Sequence, residues 1–181
     1  MKKKIIIFGI AAALVLSGCG KESNGEKVEG NMGGMDHGSH SSSGEVPETL
    51  EAAKNPLYPV GSKATIKSDH MHGMNGAEAT IVGAYATTVY AISYTPTTGG
   101  DRVTNHKWII HEEIKSGSNE PYKPGAEVVI DADHMPGMKD AVAIIDTAEQ
   151  TTIYMVDYTP TTGGEKVTNH KWVSESELAA K

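Results

Sequence analysis

The sequence Thr88-Val89-Tyr90-Ala91-Ile92-Ser93-Tyr94-Thr95-Pro96-Thr97-Thr98-Gly99-Gly100 joins a β-strand pattern to a loop signal. Tyr90, Ile92 and Tyr94 fall on one face of a strand by period-two alternation. The proline and the paired glycines then force a loop, after which Val103 to Ile110 can return as the partner strand. The pattern therefore predicts a β-hairpin. A phosphate-binding loop is a poorer interpretation, because no helix with a Lys-Ser or Lys-Thr start follows.

Much of this hairpin occurs twice in the chain. Tyr94–Gly100 recurs unchanged as Tyr158–Gly164, and the string Val-Thr-Asn-His-Lys-Trp at Val103–Trp108 also recurs. At an offset of 64 residues, Tyr58–Ile114 aligns without a gap to Tyr122–Leu178, and 29 of the 57 positions are identical. Similarity over this length indicates duplication of a whole domain rather than a solenoid of shorter units.

Each copy has four or five short β-prone runs and no amphipathic helix of useful length. The order of elements favours an SH3-like barrel: a strand after Gly61, a Gly-rich excursion, a strand, the hairpin and a closing turn. An OB-like barrel or an open sheet shares much of that pattern. We predict an all-β protein of two tandem SH3-like barrels, at residues 50–114 and 122–181, with a linker at 115–121.

The N-terminal residues have the pattern of a bacterial export signal, residues 1–18. The cationic stretch Lys2–Lys4 precedes an apolar core, Ile5–Leu16, that is too short for a membrane span. Leu16-Ser17-Gly18-Cys19 resembles the lipobox of bacterial lipoproteins. This resemblance implies that Cys19 is lipidated and anchors the mature protein to the outer face of the cytoplasmic membrane. Residues 19–49 are poor in branched apolar side chains and are predicted to form a flexible tether.

Composition excludes several classes of function. Cys19 is the single cysteine, so the mature protein has no disulfide, no catalytic thiol and no thiolate metal site. The net charge of −7 argues against nucleic acid as a partner. No nucleophile with a paired base and no recurring carboxylate dyad is present, so we do not expect an enzyme.

A shared block of histidine and methionine is the main candidate for chemistry. Asp-His-Met-x-Gly-Met occurs between two predicted strands in each copy, where its glycines allow a tight loop. Thioether and imidazole ligands suit Cu(I), with Ag(I) as a mimic, better than Mg(II), Ca(II), Zn(II) or Cu(II). The predicted metal ligands are His70, Met71 and Met74 in the first copy and His134, Met135 and Met138 in the second. A loop methionine that only fills the end of a core is the structural alternative.

Other residues are weaker candidates for the same site. The recurring Asn-His-Lys-Trp strings place His and Trp on one strand face, where they either complete the coordination sphere or close the core. An aspartate beside each His-Met pair is a candidate for orienting the imidazole. These second candidates are His106, Trp108, His170, Trp172, Asp69 and Asp133. The tether adds Met32, Met35, His37 and His40, a tract whose composition suggests metal capture. His72 and His111 are weaker still, because Pro136 and Glu175 replace them in the second copy.

The shared strings Asp-His-Met-x-Gly-Met, Tyr-Thr-Pro-Thr-Thr-Gly-Gly and Asn-His-Lys-Trp closely resemble those of the YdhK-type family of Gram-positive lipoproteins. The resemblance covers Tyr58 to the C-terminus and the lipobox. A copper-resistance lipoprotein, CopL, is similar to members of this family. The resemblance implies copper sequestration outside the membrane, often alongside a copper exporter. It transfers no ligand beyond the residues of the matching motifs.

Two hypotheses of function follow. The first is a non-enzymatic, membrane-anchored buffer that binds Cu(I) at the cell surface. The second is a cell-wall or protein-interaction module without a metal role, because SH3-like domains outside the membrane commonly bind peptide or glycan and the Tyr and Trp side chains offer a groove.

Overall fold

The computed structural model describes residues 41–115 and 118–181, and in this part of the chain it is all-β, as predicted. The strands are β1 Lys63–Ile66, β2 Glu78–Tyr94, β3 Val103–Ile110, β4 Glu127–Val129, β5 Val142–Tyr158, β6 Val167–Ser174 and β7 Leu178–Ala180. Single 3₁₀ turns at His111–Glu113 and Glu175–Glu177 follow β3 and β6. No helix in the described ranges has the length and apolar character to cross a bilayer.

The two longest strands, β2 and β5, form the centre of one antiparallel sheet. They pair along their whole length, from Ala79 opposite Tyr158 to Tyr94 opposite Ala143. At the middle, Thr87 pairs with Thr151, its own counterpart at the offset of 64 residues. A pseudo-two-fold axis therefore passes through this pair and relates the first repeat, Tyr58–Ile114, to the second, Tyr122–Leu178.

The sheet is not closed, so the open-sheet alternative describes it better than two SH3-like barrels do. Its order is β4-β5-β2-β1-β7. Strand β3 pairs with the C-terminal half of β2, and β6 pairs with the C-terminal half of β5. The β2–β3 and β5–β6 registers shift near Ile92 and Val156, next to the Asn-His-Lys-Trp strings. The Lys107–Trp108 and Lys171–Trp172 peptide bonds are cis.

Each hydrophobic core takes residues from both repeats, which corrects the prediction of one barrel per repeat. Module A packs residues 58–84 of the first repeat against residues 154–178 of the second. Module B packs residues 90–114 of the first repeat against residues 128–145 of the second. The exchange follows from the length of β2 and β5, because each strand passes through both modules and carries apolar side chains into both.

A third cluster lies on the pseudo-two-fold axis between the modules. It contains Trp108 and Trp172, which are 6% and 1% exposed, with Val89 and Ile153 around them. Leu50 packs into this cluster from the N-terminal side of the first repeat. The two indoles therefore close a central core, as the structural alternative for these residues predicted.

The N-terminal segment 41–53, here called the strap, crosses this central cluster, so the predicted tether does not extend to residue 49. Ser42 N–H donates to Thr168 O at 3.0 Å, and Ser42 Oγ donates to Asn169 O at 2.7 Å. Further along, Ala53 N–H donates to Ala84 O at 3.0 Å. Ordering the strap costs conformational entropy, and its polar composition predicts little apolar burial to offset that cost. The backbone hydrogen bonds and the buried Leu50 provide the stabilisation instead.

Each Gly of the His-Met loops is held against the Thr-Pro-Thr-Thr loop of the other repeat. Gly73 has φ +75°, and a Cβ there would lie 2.5 Å from Thr162 Oγ1 and 2.9 Å from Pro160 Cβ. Gly137 has φ +76° and the equivalent contacts with Thr98 and Pro96. The Thr161 N–H donates to Gly73 O at 2.8 Å, which fixes this approach. The repeated glycine therefore serves close packing between repeats.

We expect Gly73→Ala to lower the free energy of unfolding by about 1–2 kcal/mol more than Gly99→Ala does. Gly99 is the matched control, because its φ is +86° and a Cβ there would meet nothing within 4 Å. Both substitutions carry the strain of positive φ, and only Gly73→Ala adds the clash with Thr162. Urea unfolding measures the difference, and equal losses would contradict the close packing.

Candidate functional site

The two His-Met loops have the same structure in both repeats. In the first, Met74 N–H donates to Met71 O at 3.1 Å, and in the second Met138 N–H donates to Met135 O at 3.0 Å. Met74 and Met138 are 0% exposed and lie in the cores of modules A and B. Met71 and Met135 are only partly buried at the edges of those cores. The two methionines of each loop therefore differ in their access to a ligand.

Each loop histidine contacts a glutamate of the other repeat. His70 Nε2 lies 2.8 Å from Glu177 Oε1, with side chains only 13% and 14% exposed. Glu177 Oε2 also accepts from Trp108 Nε1 at 2.8 Å and from Ser174 N–H at 2.9 Å. Burial alone raises the pKa of Glu177, but the bonds from His70, Ser174 and Trp108 outweigh it and lower the pKa to about 2. Glu177 is therefore a carboxylate with three donors.

The second cluster repeats this arrangement with the roles of the repeats reversed. His134 Nε2 lies 2.8 Å from Glu113 Oε1, with side chains 12% and 8% exposed. Trp172 Nε1 donates to Glu113 Oε1 at 3.2 Å and Oε2 at 3.1 Å. Ile110 N–H donates to Glu113 Oε2 at 3.1 Å. Both clusters thus join a histidine, a glutamate and a tryptophan across the repeat boundary.

The remaining ring nitrogen of each loop histidine has no hydrogen-bond partner. His70 Nδ1 and His134 Nδ1 are both buried and unpaired. An ionised carboxylate only accepts, so His70 Nε2 must carry the proton that it shares with Glu177. In the neutral imidazole, Nδ1 then holds a free lone pair. A buried acceptor without a partner costs about 1–3 kcal/mol, so a bound ion that took up this lone pair would recover that cost.

His106 brings a third imidazole of this kind to module B. Its Nε2 is buried and unpaired, and its ring makes an edge contact with Tyr94 at a centroid distance of 6.1 Å. Burial, and then the nearby His134 and His70, lower the pKa of His106 to about 4, against the opposing charge of Glu113. The hairpin that carries His106 therefore lies near His134, in the His-Met loop of the other repeat. His170 makes the equivalent contact with Tyr158, at 5.6 Å.

Other predicted residues lie outside these clusters. Asp69 and Asp133 are exposed, and the imidazole contact predicted for them belongs to Glu177 and Glu113. His111 bridges the Tyr90 hydroxyl at 2.9 Å and Ser118 O at 2.8 Å. His72 is exposed, with Nδ1 3.5 Å from Thr162 Oγ1. Cys19 and the tether candidates Met32, Met35, His37 and His40 lie outside the described residues.

The cation over each indole is a neighbouring lysine. Lys107 Nζ lies 5.0 Å from the Trp108 ring, and Lys171 Nζ lies 5.7 Å from the Trp172 ring. A cation–π contact is worth about 0.5–1 kcal/mol at such half-exposed sites. Each Asn-His-Lys-Trp string therefore contributes an imidazole that is partly buried (His106) or buried (His170), a cation over the ring and an indole donor.

Sequence reasoning missed Glu113 and Glu177, although a signal for them exists. The closing turns diverge between the repeats at His111 and Glu175 and at the next position, yet Glu113 recurs as Glu177. A lone identical carboxylate in a divergent turn indicates a contact that both repeats need. In residues 41–115 and 118–181, no group of three His, Cys, Asp or Glu side chains is arranged to hold a metal ion. A metal at these clusters therefore needs a thioether as well.

One open antiparallel sheet, built from two repeats that exchange their halves, defines a tandem-repeat all-β protein. The model of the family described as protein of unknown function (DUF1541) matches residues 60–111 and 124–175, one match in each repeat. The chain belongs to this family.

Relatives from Bacillus subtilis are similar in both sequence and structure. The protein YdhK of strain 168 is 53% identical over 179 residues, which span 97% of this chain and 87% of YdhK. A crystal structure of YdhK superposes with a TM-score of 0.76 at 60% identity, over 79% of this chain and 97% of that one. The solution structure described as the YdhK C-terminal domain gives a TM-score of 0.65 at 61% identity, over 68% of this chain and 93% of that one. The tandem-repeat assignment is confirmed by these matches.

Proposed function

We propose that the chain is a lipid-anchored copper-binding protein that sequesters Cu(I) on the outer face of the cytoplasmic membrane, in the manner of CopL. The observation that carries the proposal is the pair of buried, unpaired Nδ1 atoms on His70 and His134. Each belongs to a loop that also holds a partly buried thioether, Met71 or Met135. Neutral nitrogen and sulfur donors favour a soft monovalent ion.

The ligand set has a clear order of access. Met71 and Met135 are partly buried and are the more accessible thioethers, and each follows a histidine whose Nδ1 is buried. Met74 and Met138 are completely buried in the cores, so they are the less accessible thioethers. In module B the unpaired Nε2 of His106 is a further donor. A set of one or two imidazoles and one or two thioethers satisfies Cu(I) without the three carboxylate, imidazole or thiolate groups that zinc sites use.

Titration of Cu(I) into residues 20–181 with a competing chromophoric chelator tests the function. We expect two protein-bound ions, and we expect Leu at Met71, Met74, Met135 and Met138 together to weaken binding by at least about tenfold. Leu preserves the volume of the core positions, which keeps the fold intact. Met155→Leu is the control, because Met155 is 2% exposed and lies in the central cluster away from both loops.

Unchanged Cu(I) affinity in the variant with all four methionines replaced would contradict the proposal for these loops. Native mass spectrometry of the chain with and without residues 20–40 separates ions held by the tract before the strap from ions held by the modules. Retention on purified cell wall without added metal would instead favour the interaction module.

A further inference from the structure

We propose that Glu177 and Glu113 are positioning residues that act across the repeat boundary, each orienting the metal-binding imidazole of the other repeat. Glu177 of the second repeat holds His70 of the first, and Glu113 of the first holds His134 of the second. Each glutamate fixes the proton on Nε2 and turns Nδ1 towards the ligand. The inference rests on the proposed function and adds to it the residues that set the geometry of the two sites.

The glutamates are themselves fixed, which positioning requires. Glu177 is held by the Trp108 indole and the Ser174 amide, at 2.8 and 2.9 Å. Glu113 is held by the Trp172 indole and the Ile110 amide. Each carboxylate lies in the 3₁₀ turn that follows its own strand, so it cannot follow a moving imidazole. A carboxylate on the outer nitrogen of a metal-binding histidine sets the tautomer and raises the basicity of the ligand nitrogen.

The two sites therefore depend on both repeats in a reciprocal way. The site at His70 takes its loop from the first repeat and its carboxylate from the second, and the site at His134 does the opposite. Loss of Glu177 must then impair the site of the first repeat, not the site of its own repeat. If each glutamate acted only within its own repeat, loss of Glu177 would impair the His134 site instead. Measuring which of the two sites is impaired therefore tests the inference.

Glu177→Gln is the informative substitution. A carboxamide has one acceptor oxygen and one NH₂ group in place of the two carboxylate oxygens. Its NH₂ group must therefore face either His70 or Trp108, and that residue loses its acceptor. We expect the metal-free variant to lose the uniform Nε2–H tautomer of His70 and to keep that of His134, as read from long-range ¹H–¹⁵N spectra of the histidine side chains. Ag(I) affinity at the His70 site should fall by about 10- to 100-fold. Glu113→Gln should produce the mirror result at His134.

Glu149→Gln serves as the control, because Glu149 is an exposed glutamate on β5. Double variants add a second measurement that does not depend on the absolute stability of any one protein. In a His70→Ala background, Glu177→Gln should cause no further loss of Ag(I) affinity, whereas Glu113→Gln should still weaken the other site about 10- to 100-fold.

The outcomes separate the two proposals. Wild-type protein that binds Ag(I), with His70 unaffected by Glu177→Gln in both spectra and affinity, would overturn the positioning inference alone. Wild-type protein that binds neither Ag(I) nor Cu(I) would overturn the proposed function, and with it the metal role of Nδ1. Weakening confined to the His134 site by Glu177→Gln would overturn the reciprocal arrangement.

Discussion

Replacing Glu113 with Ala is expected to lower the free energy of unfolding by about 4 kcal/mol. Glu113 is 6% exposed and accepts from the Trp172 indole, the Ile110 amide and the His134 imidazole. The substitution leaves these donors buried without a partner, and it opens a cavity where the central cluster meets module B. Urea unfolding followed by circular dichroism measures the loss.

Glu112→Ala is the matched control in the same turn. Glu112 accepts one bond, from Thr87 Oγ1 at 2.7 Å, and it is only partly buried. Water can replace this acceptor, so we expect a loss of about 1 kcal/mol or less. Similar losses for the two variants would show that the three donors of Glu113 find other partners, and would contradict its role as the centre of the cluster.

The protein is expected to lose about 3 kcal/mol of stability between pH 6.5 and pH 4 through His106 alone. Burial, then the nearby His134 and His70, lower the pKa of His106 from 6.5 to about 4 in the folded protein, against the opposing effect of Glu113. As the pH falls through this window, His106 becomes protonated in the unfolded chain but stays neutral in the folded protein. Stability is therefore fully present above pH 6.5 and falls until about pH 4.

His106→Gln isolates this contribution, because glutamine does not titrate. The measurement is the slope of the unfolding free energy with pH, so a uniform loss of stability in the variant does not affect it. We expect the variant to have a much flatter profile between pH 6.5 and 4. Equal slopes in the two proteins would mean that His106 takes up its proton readily in the folded state. Glu177 acts in a lower window, below about pH 4.5, because its pKa is about 2.

The strands could be predicted from the sequence because their signals are local. Period-two alternation at Tyr90, Ile92 and Tyr94 places all three in the core of module B, each at most 1% exposed. The loop at residues 95–100 follows from its proline and glycines. The tight loop expected from the glycine of each His-Met loop is present, since Gly73 and Gly137 have positive φ.

The exchange of halves could not be predicted in the same way. A hairpin that closes on its own repeat and one that closes on the other repeat have the same alternation, the same turns and the same composition. The choice depends on the full-length pairing of β2 with β5, and no residue of either strand encodes its partner. The His70–Glu177 contact spans 107 positions for this reason. The strap could not be predicted because its composition is mostly polar, which indicates a flexible tether. Its anchoring side chain, Leu50, is a single apolar residue and gives no periodic signal.

The exchanged halves also bear on the history of the gene. In a protein of independently folding domains, either domain can be deleted and the remaining one keeps its activity. Here, deletion of one copy would remove the glutamate from one cluster and the imidazole from the other, so neither would survive. A single ancestral copy would have needed a second identical polypeptide to complete either cluster, and fusion supplies that partner within one chain.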